Sequence, residues 1–481
     1  MVVELYNAPG SPPCTFVRVV AKKLGVELKL NNFNLMAKEH LNPEFVKLNP
    51  VHTVPTINDN GFVLWESRAI GMYLVDKYAP ESTLYPKDLQ KRATVNRLLF
   101  FESGTLLSAQ MAYFRPKWFK GQEPTSDLKE AYDKALGTAV TLLGDKKFLC
   151  GDNVTLADIG LACTLGVVIE GAEYDGLEKF PQLKEYYQRF KKALPEYEQV
   201  AAEALKLIRD MVARARSGQN PHGPPKYATA RLPIKKGLRR RGRYQFAPNF
   251  RRFVVGTCSF VQYFAAMPAI LYNLPGSPPC GFVRSLAKHL GVELTLKDVD
   301  FAKKEHLSEE YLKINPFHKV PTLVDDGFVV YESNAIAYYL LRKYAPESDL
   351  YPECYKERAR IDQCLAAVAS TIQPHQLLFF RPRFWENKKP TDEEVTAFEE
   401  NVLKGFQYLV TDQFATGDKL TLADLCLVSN LAISLENGSV DASKFPKLAA
   451  YYERVKPELA YFEEIYRPSI TYLQQRWSEL K

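Results

Sequence analysis

Apolar positions form short runs in the first part of the chain, and these runs predict strands and a helix. The β-rich run at 2–6 ends at Asn-Ala-Pro-Gly, which predicts a first strand. Ser11 is a favoured helix N-cap and precedes two prolines, which a first helical turn tolerates; the helix is predicted to end at Gly25. The remaining short runs predict three more strands, the last two joined as a hairpin: 27–33, 53–57 and 62–65.

Helical patterns take over further along the chain. A short helix is predicted near 43–48, and a longer one is predicted to run from a cap at Ser67 to about Tyr78. From 88 to 208 the pattern is amphipathic and wholly helical. Thr155-x-x-Asp158 fits a capping box, for which we favour a purely structural role. The order predicts an α/β domain followed by an all-α domain.

The same pattern occurs twice, 266 positions apart. Residues 7–28 match residues 273–294 at 17 of 22 positions, and PGSPPC, KEHL, KYAPES and TLAD recur at that offset. A period this long indicates two tandem modules rather than a short-repeat solenoid. We predict an α/β domain and a helical domain in each module, with a segment of different composition between the modules: 1–86, 87–208, 209–268, 269–352 and 353–481.

The basic charge of the chain comes from the segment between the modules. Residues 211–268 hold twelve Lys or Arg and no Asp or Glu, so the formal net charge of +7 becomes about −5 for the rest of the chain. Three interpretations stay open for 209–268: a disordered tether, a localisation or polyanion-binding patch, or translated non-coding sequence before Met267. The modules themselves are not expected to bind nucleic acid.

The remaining composition is that of a globular protein. Hydrophobic residues make up 46% of the chain, yet we find no run of 18 apolar residues, so no membrane span is expected. The N-terminus does not read as a secretion signal. Eight cysteines without a Cys-x-x-Cys pair indicate reduced thiols and a cytoplasmic location.

These motifs together resemble the cytosolic glutathione transferases. SPPC, MAKEHLNPEFVKLNPVHTVPT and GFVLWESRAIGMYLVDKY are most similar to the arthropod delta and epsilon classes, and the resemblance covers nearly all of both modules. It implies a thioredoxin-like N-terminal domain and an all-helical C-terminal domain in each. It also implies detoxifying conjugation of reduced glutathione, as co-substrate, to small hydrophobic electrophiles, with no permanently bound cofactor and no metal.

The resemblance implies that Ser11 and Ser277 are the catalytic residues. A hydroxyl at a helix N-terminus can donate a hydrogen bond to the glutathione thiolate, and the helix dipole adds to the stabilisation. Both residues could instead be simple N-caps, and the two roles are compatible. Cys14 and Cys280 occupy only the last position of what would be a dithiol motif, so we expect them to pack in the core.

The resemblance also implies the residues that hold glutathione. The bond before each Val-Pro-Thr proline is expected to be cis, and Glu-Ser at a helix start suits the γ-glutamyl end. Val368 stands where module one has Glu102, and Asn334 where it has Arg68. The loss of the arginine puts in doubt whether module two holds the carboxylates of glutathione equally well. The predicted glutathione residues are His40, His52, Val54, Pro55, Glu66, Ser67 and Arg68, with His306, His318, Val320, Pro321, Glu332, Ser333 and Asn334.

The electrophile pocket is harder to predict, because an aromatic stripe is more often core than ligand wall. The candidates by position are Tyr113, Phe114, Phe119, Phe379, Phe380 and Trp385.

Two other functions stay open. The chain could be a non-catalytic ligand-binding or structural relative, or a dehydrochlorinase or isomerase that uses the same glutathione site. Such transferases are two-fold dimers, so the two modules are expected to form an intramolecular pseudo-dimer or, alternatively, the chain a homodimer.

Overall fold

The computed structural model describes residues 2–172, 174–216, 268–410, 413–436 and 440–480. Two modules of one design make up the described part of the chain. Each begins with a four-stranded mixed sheet and continues into a bundle of helices, as the sequence predicts.

The N-terminal half of module one is a thioredoxin-like sheet with helices packed on it. Its strand order is β2-β1-β3-β4, with β1 parallel to β2 and antiparallel to β3. Alternate side chains of β1 are buried, the pattern of a central strand. The elements are β1 Val3–Asn7, α1 Pro12–Lys23, β2 Leu28–Asn32, α2 Pro43–Leu48, β3 Thr56–Asp59, β4 Phe62–Trp65 and α3 Ser67–Tyr78.

The C-terminal half of module one is helical. Its central helix is buried along its whole length, and the predicted capping box holds its start: Thr155 N–H donates to Asp158 Oδ2 at 2.8 Å. The helices are α4 Leu89–Phe101, α5 Ser108–Lys120, α6 Ser126–Leu143, α7 Leu156–Gly166, α8 Pro181–Ala193 and α9 Pro195–Arg216. The last helix extends past residue 208, where the sequence predicted the end of the domain; residues 217–267 lie outside the described part.

Module two repeats the sheet, with order β6-β5-β7-β8. Its N-terminal half consists of β5 Ala269–Asn273, α10 Pro278–His289, β6 Leu294–Asp298, α11 Glu309–Ile314, β7 Thr322–Asp325, β8 Phe328–Tyr331 and α12 Ser333–Tyr344. Its helices are α13 Tyr355–Ala367, α14 Gln373–Trp385, α15 Asp392–Phe398, α16 Lys404–Leu409, α17 Leu422–Glu436, α18 Pro446–Val455 and α19 Phe462–Ser478.

The two modules pack against each other through unlike halves. Helix α3 of module one lies against α13 of module two, and α12 of module two lies against α4 of module one. Trp65 N–H donates to Gln363 Oε1 at 3.0 Å across this contact, and the rings of Phe101 and Phe317 lie 4.9 Å apart. Each thioredoxin-like half thus meets the helical half of the other module, so residues of one module come close to the predicted site of the other.

No helix among the described residues has the length and apolar character needed to cross a membrane.

Candidate functional site

Ser11 and Ser277 lie at the N-termini of corresponding helices. Ser11 is the N-cap of α1, with extended backbone, and its Oγ accepts a hydrogen bond from Cys14 N–H at 3.5 Å. Ser277 has the same backbone conformation before α10. The Oγ accepts this bond through a lone pair and keeps its own proton for another partner, so capping and donation to a thiolate are compatible.

Cys14 and Cys280 are core residues, as expected. Both are 1% exposed, and Ala8 N–H donates to Cys14 Sγ at 3.4 Å. Burial raises the pKa of each thiol to about 11, so both stay protonated at neutral pH. This agrees with the expectation that neither acts as a redox nucleophile.

Both Val-Pro bonds are cis, as the resemblance implied. Pro55 and Pro321 are buried and stand directly before β3 and β7, while Val54 and Val320 are half-buried at the surface. In the sheets Thr56 pairs with Tyr6 and Thr322 with Tyr272, so each Val-Pro turn lies close to the end of the strand that leads into α1 or α10.

Glu66 and Glu332 have an unusual backbone conformation. Each has a φ of 69°, which is rare for a residue with a side chain, and each stands directly before the helix that begins with Ser67 or Ser333. The sequence predicted Ser67 as the cap, but Glu66 occupies the N-cap position. Strained residues of this kind concentrate at functional sites, and free amides at the helix start suit a carboxylate.

A buried polar network supports this corner in module one. Arg68 pairs with Glu102, which also accepts from Thr164 Oγ1, and Arg68 Nη1 donates to Ser67 Oγ at 3.0 Å. Burial lowers the pKa of Arg68 to about 10, so it stays charged at neutral pH. Sequence reasoning missed Thr164, which is 62 residues from Glu102 and carries no local signal.

Module two lacks this network. Asn334, Val368 and Asn430 occupy the corresponding positions, 266 residues further along. Asn334 Nδ2 donates to Leu365 O at 3.1 Å, and Asn430 Nδ2 donates to Cys426 O at 2.8 Å. The substitutions replace an ion pair by local amide bonds and remove the cation from this corner.

The four predicted histidines form two pairs beside the sites. The rings of His40 and His52 lie 6.0 Å apart, and those of His306 and His318 lie 6.2 Å apart. Burial lowers the pKa of His40, His306 and His318, which favours neutral rings at pH 7. Within the described ranges no group of three or more metal-ligating side chains comes together.

The aromatic candidates for the electrophile pocket are mostly core residues. Phe379 and Phe380 are 4% and 5% exposed, and the Phe379 ring lies 4.2 Å from that of Phe398. Phe114 is also buried, Tyr113 is half-buried and Trp385 is 56% exposed. The side chain of Phe119 lies outside the described part. Tyr113 and Trp385 are therefore the candidates that a ligand could reach without displacing the core.

Residues of the opposite module reach both sites, which single-module reasoning could not find. Ser370 Oγ of module two donates to Glu66 Oε2 at 3.4 Å. Burial raises the pKa of Glu66 to about 7, against the opposing effects of this hydrogen bond and of Arg68. At site two, Lys319 Nζ donates to Thr105 Oγ1 of module one at 3.2 Å.

Comparison with known proteins gives a consistent family. The glutathione S-transferase N-terminal domain matches residues 1–76 and 267–342, and the C-terminal domain matches residues 105–192 and 367–456. Glutathione S-transferase D7 of Drosophila melanogaster is 42% identical over 198 residues, which are 41% of this chain and 88% of that protein.

Solved structures of insect transferases are also similar. A delta-class glutathione transferase of Nilaparvata lugens is 40% identical, with 44% of this chain and 99% of that chain covered and a TM-score of 0.43. An epsilon-class enzyme of Musca domestica is 34% identical, with 45% and 97% covered and a TM-score of 0.41. The chain belongs to the glutathione S-transferase family, as two tandem copies of a delta/epsilon-type transferase in one polypeptide.

Proposed function

We propose that the chain conjugates reduced glutathione to small hydrophobic electrophiles, with Ser11 and Ser277 stabilising the thiolate. The observation that supports this most is the position of Ser11 and Ser277 at the N-termini of corresponding helices in the two modules. The helix dipole and a donated hydrogen bond both favour the ionised thiol. A detoxifying role in the cytoplasm is part of the same proposal and rests on the family.

The glutathione itself would lie between the serine and the strained glutamate. The γ-glutamyl carboxylate would meet the amides at the start of α3 or α12, and its ammonium would meet Glu66 or Glu332. The cis-proline turn would pair with the cysteinyl backbone, and the histidine pairs would face the glycyl end. Transfer to the electrophile forms a carbon–sulfur bond as the leaving group departs or the double bond accepts the electron pair.

The test is the double variant Ser11→Ala with Ser277→Ala. If the serines lower the thiol pKa by two units, their loss removes about 2.7 kcal/mol of thiolate stabilisation, and turnover at neutral pH should fall roughly a hundredfold. Binding of S-hexylglutathione, which has no thiol, should persist. The ultraviolet absorbance of the bound thiolate, measured with glutathione, should disappear in the variant.

Asp88→Ala provides the matched control, because Asp88 is an exposed N-cap that accepts from Lys91 N–H at 2.8 Å at the start of α4. Loss of this cap should leave turnover unchanged. Undiminished turnover in the serine double variant would refute the mechanism. Thiolate formation in the wild type without turnover of any electrophile would favour the non-catalytic alternative. Elimination or isomerisation without conjugation would favour a dehydrochlorinase or isomerase that uses the same glutathione site.

A further inference from the structure

The second site lacks the cation that the first site carries. Asn334 replaces Arg68 at the start of α12, and its amide is engaged with Leu365 O at 3.1 Å. Glutathione carries two carboxylates, so a site without a guanidinium needs another positive group or binds more weakly. The described residues around Glu332 show where such a group comes from.

Arg97 of module one reaches this corner of module two. Its guanidinium carbon lies 4.4 Å from the ring centroid of Tyr331, the residue directly before Glu332. Stacking of this kind holds the planar fork in one orientation. The Nε of Arg97 is buried and has no hydrogen-bond partner among the described residues. An unpaired buried donor is costly, so this atom is suited to a ligand acceptor.

The residue that module two contributes to the first site is neutral and already has a hydrogen-bond partner. Gln363 of module two occupies the position of Arg97, and its Oε1 accepts from Trp65 N–H at 3.0 Å. Site one, which has Arg68, therefore receives an amide from its neighbour. Site two, which has lost that arginine, receives a guanidinium.

Further positive charge converges on site two. Lys319, which replaces Thr53, stands directly before Val320 and donates to Thr105 Oγ1 at 3.2 Å. Burial raises the pKa of Glu332, while Lys319 and Arg97 oppose that rise. Lys134 of module one faces the other end, where its charge adds to the effect of burial in lowering the pKa of His306 and His318.

We propose that Arg97 of module one, assisted by Lys319, binds a carboxylate of glutathione at the second site and replaces the cation lost at Asn334. This rests on the proposed function, since it names a ligand contact of that same site. It makes the second site dependent on the first module. The positive charge of Arg97 then compensates, within one chain, for the charge that is missing at Asn334.

The experiment measures site two alone in the full-length chain. Glu66→Ala with Ser67→Ala disables site one, and S-hexylglutathione is titrated calorimetrically into this background. Adding Arg97→Gln introduces the glutamine that module two has at this position. This change should raise the Kd of S-hexylglutathione at least tenfold. Arg97→Lys, which keeps the charge but loses the fork, should recover part of the affinity.

Two controls separate binding from folding. Lys91→Gln removes an exposed cation from the same helix and should leave Kd unchanged. In the mirror background, Glu332→Ala with Ser333→Ala, Arg97→Gln should leave binding at site one unchanged. An unchanged Kd at site two, or equal weakening at both sites, would overturn the proposal while leaving the transferase function intact. Absence of binding by the wild-type chain would overturn both.

Discussion

At the scale of single residues, module two has a buried carboxyl group where module one has a neutral amide. Asp362 is 3% exposed in α13 and accepts hydrogen bonds from Tyr338 Oη at 2.6 Å and from Tyr351 Oη at 2.8 Å. Burial raises the pKa of Asp362 to about 7, and the nearby Asp76 of module one raises it further. Module one has Asn96 at this position, which accepts from Tyr85 Oη at 2.7 Å.

Replacing Asp362 by the asparagine of module one should therefore stabilise the protein at high pH. A carboxyl whose folded pKa is raised binds its proton more tightly when folded. The contribution of Asp362 to the stability of the fold is thus complete below about pH 4 and is lost as the pH rises from there through about 7. Asp362→Asn should raise Tm at pH 8 and should increase the free energy of unfolding there by at most about 4 kcal/mol, at about 1.4 kcal/mol per pKa unit.

The effect should vanish at pH 4, where the native aspartate is already protonated. Scanning calorimetry of variant and wild type at both pH values measures this difference. The reciprocal change, Asn96→Asp, should lower Tm at pH 8. A gain for Asp362→Asn that is the same at both pH values would contradict the role of ionisation.

At the scale of elements, the two modules solve one packing problem in different ways. Helix α10 has Gly281 where α1 has Thr15, and α19 has Tyr466 where α9 has Ala201. A Cβ at Gly281 would lie 2.8 Å from Tyr466 Cε1, and Tyr466 Oη donates to Gly281 O at 3.2 Å. The larger tyrosine thus fills the space that the missing side chain leaves.

Gly281→Thr should destabilise module two by about 1–3 kcal/mol, because the added side chain overpacks the helix contact. Adding Tyr466→Ala, which restores the threonine–alanine pair of module one, should recover part of that loss. Denaturant unfolding of both single variants and the double variant gives the coupling free energy. Additive losses would show that the two positions do not share this space.

At the scale of the whole molecule, the two modules contribute side chains of different size to equivalent positions in the contact between them. Phe317 is 4% exposed and lies 4.9 Å from the Phe101 ring and 5.0 Å from the Tyr331 ring. Module one has the smaller Val51 at the corresponding position. Module one and module two therefore share a contact that two copies of module one would lack, which favours pairing of unlike modules over pairing of like ones.

We expect the full-length chain to be monomeric in solution, as an intramolecular pseudo-dimer. Because the two modules belong to one polypeptide, the effective concentration of one module towards the other does not fall when the protein is diluted. Light scattering at micromolar concentration should give a mass near 54.8 kDa. A mass of twice that value, unchanged on dilution, would show that the modules pair between chains instead.

The sequence by itself determined the plan of the molecule. The repeat at offset 266 predicted two modules, and local signals placed the strand before Ser11, the end of α1 near Gly25 and the capping box at Thr155. These features depend on residues within a few positions of one another, so turn and cap chemistry is sufficient to predict them.

Only the tertiary structure decided how the sites are completed. The positive φ of Glu66, the Arg68–Glu102–Thr164 network and the placement of Arg97 beside Tyr331 join residues that are far apart along the chain. No local pattern encodes such contacts, because they exist only after helices and modules have packed. The buried aromatic residues of α14 illustrate the same limit, since the sequence could not tell a core side chain from a ligand wall.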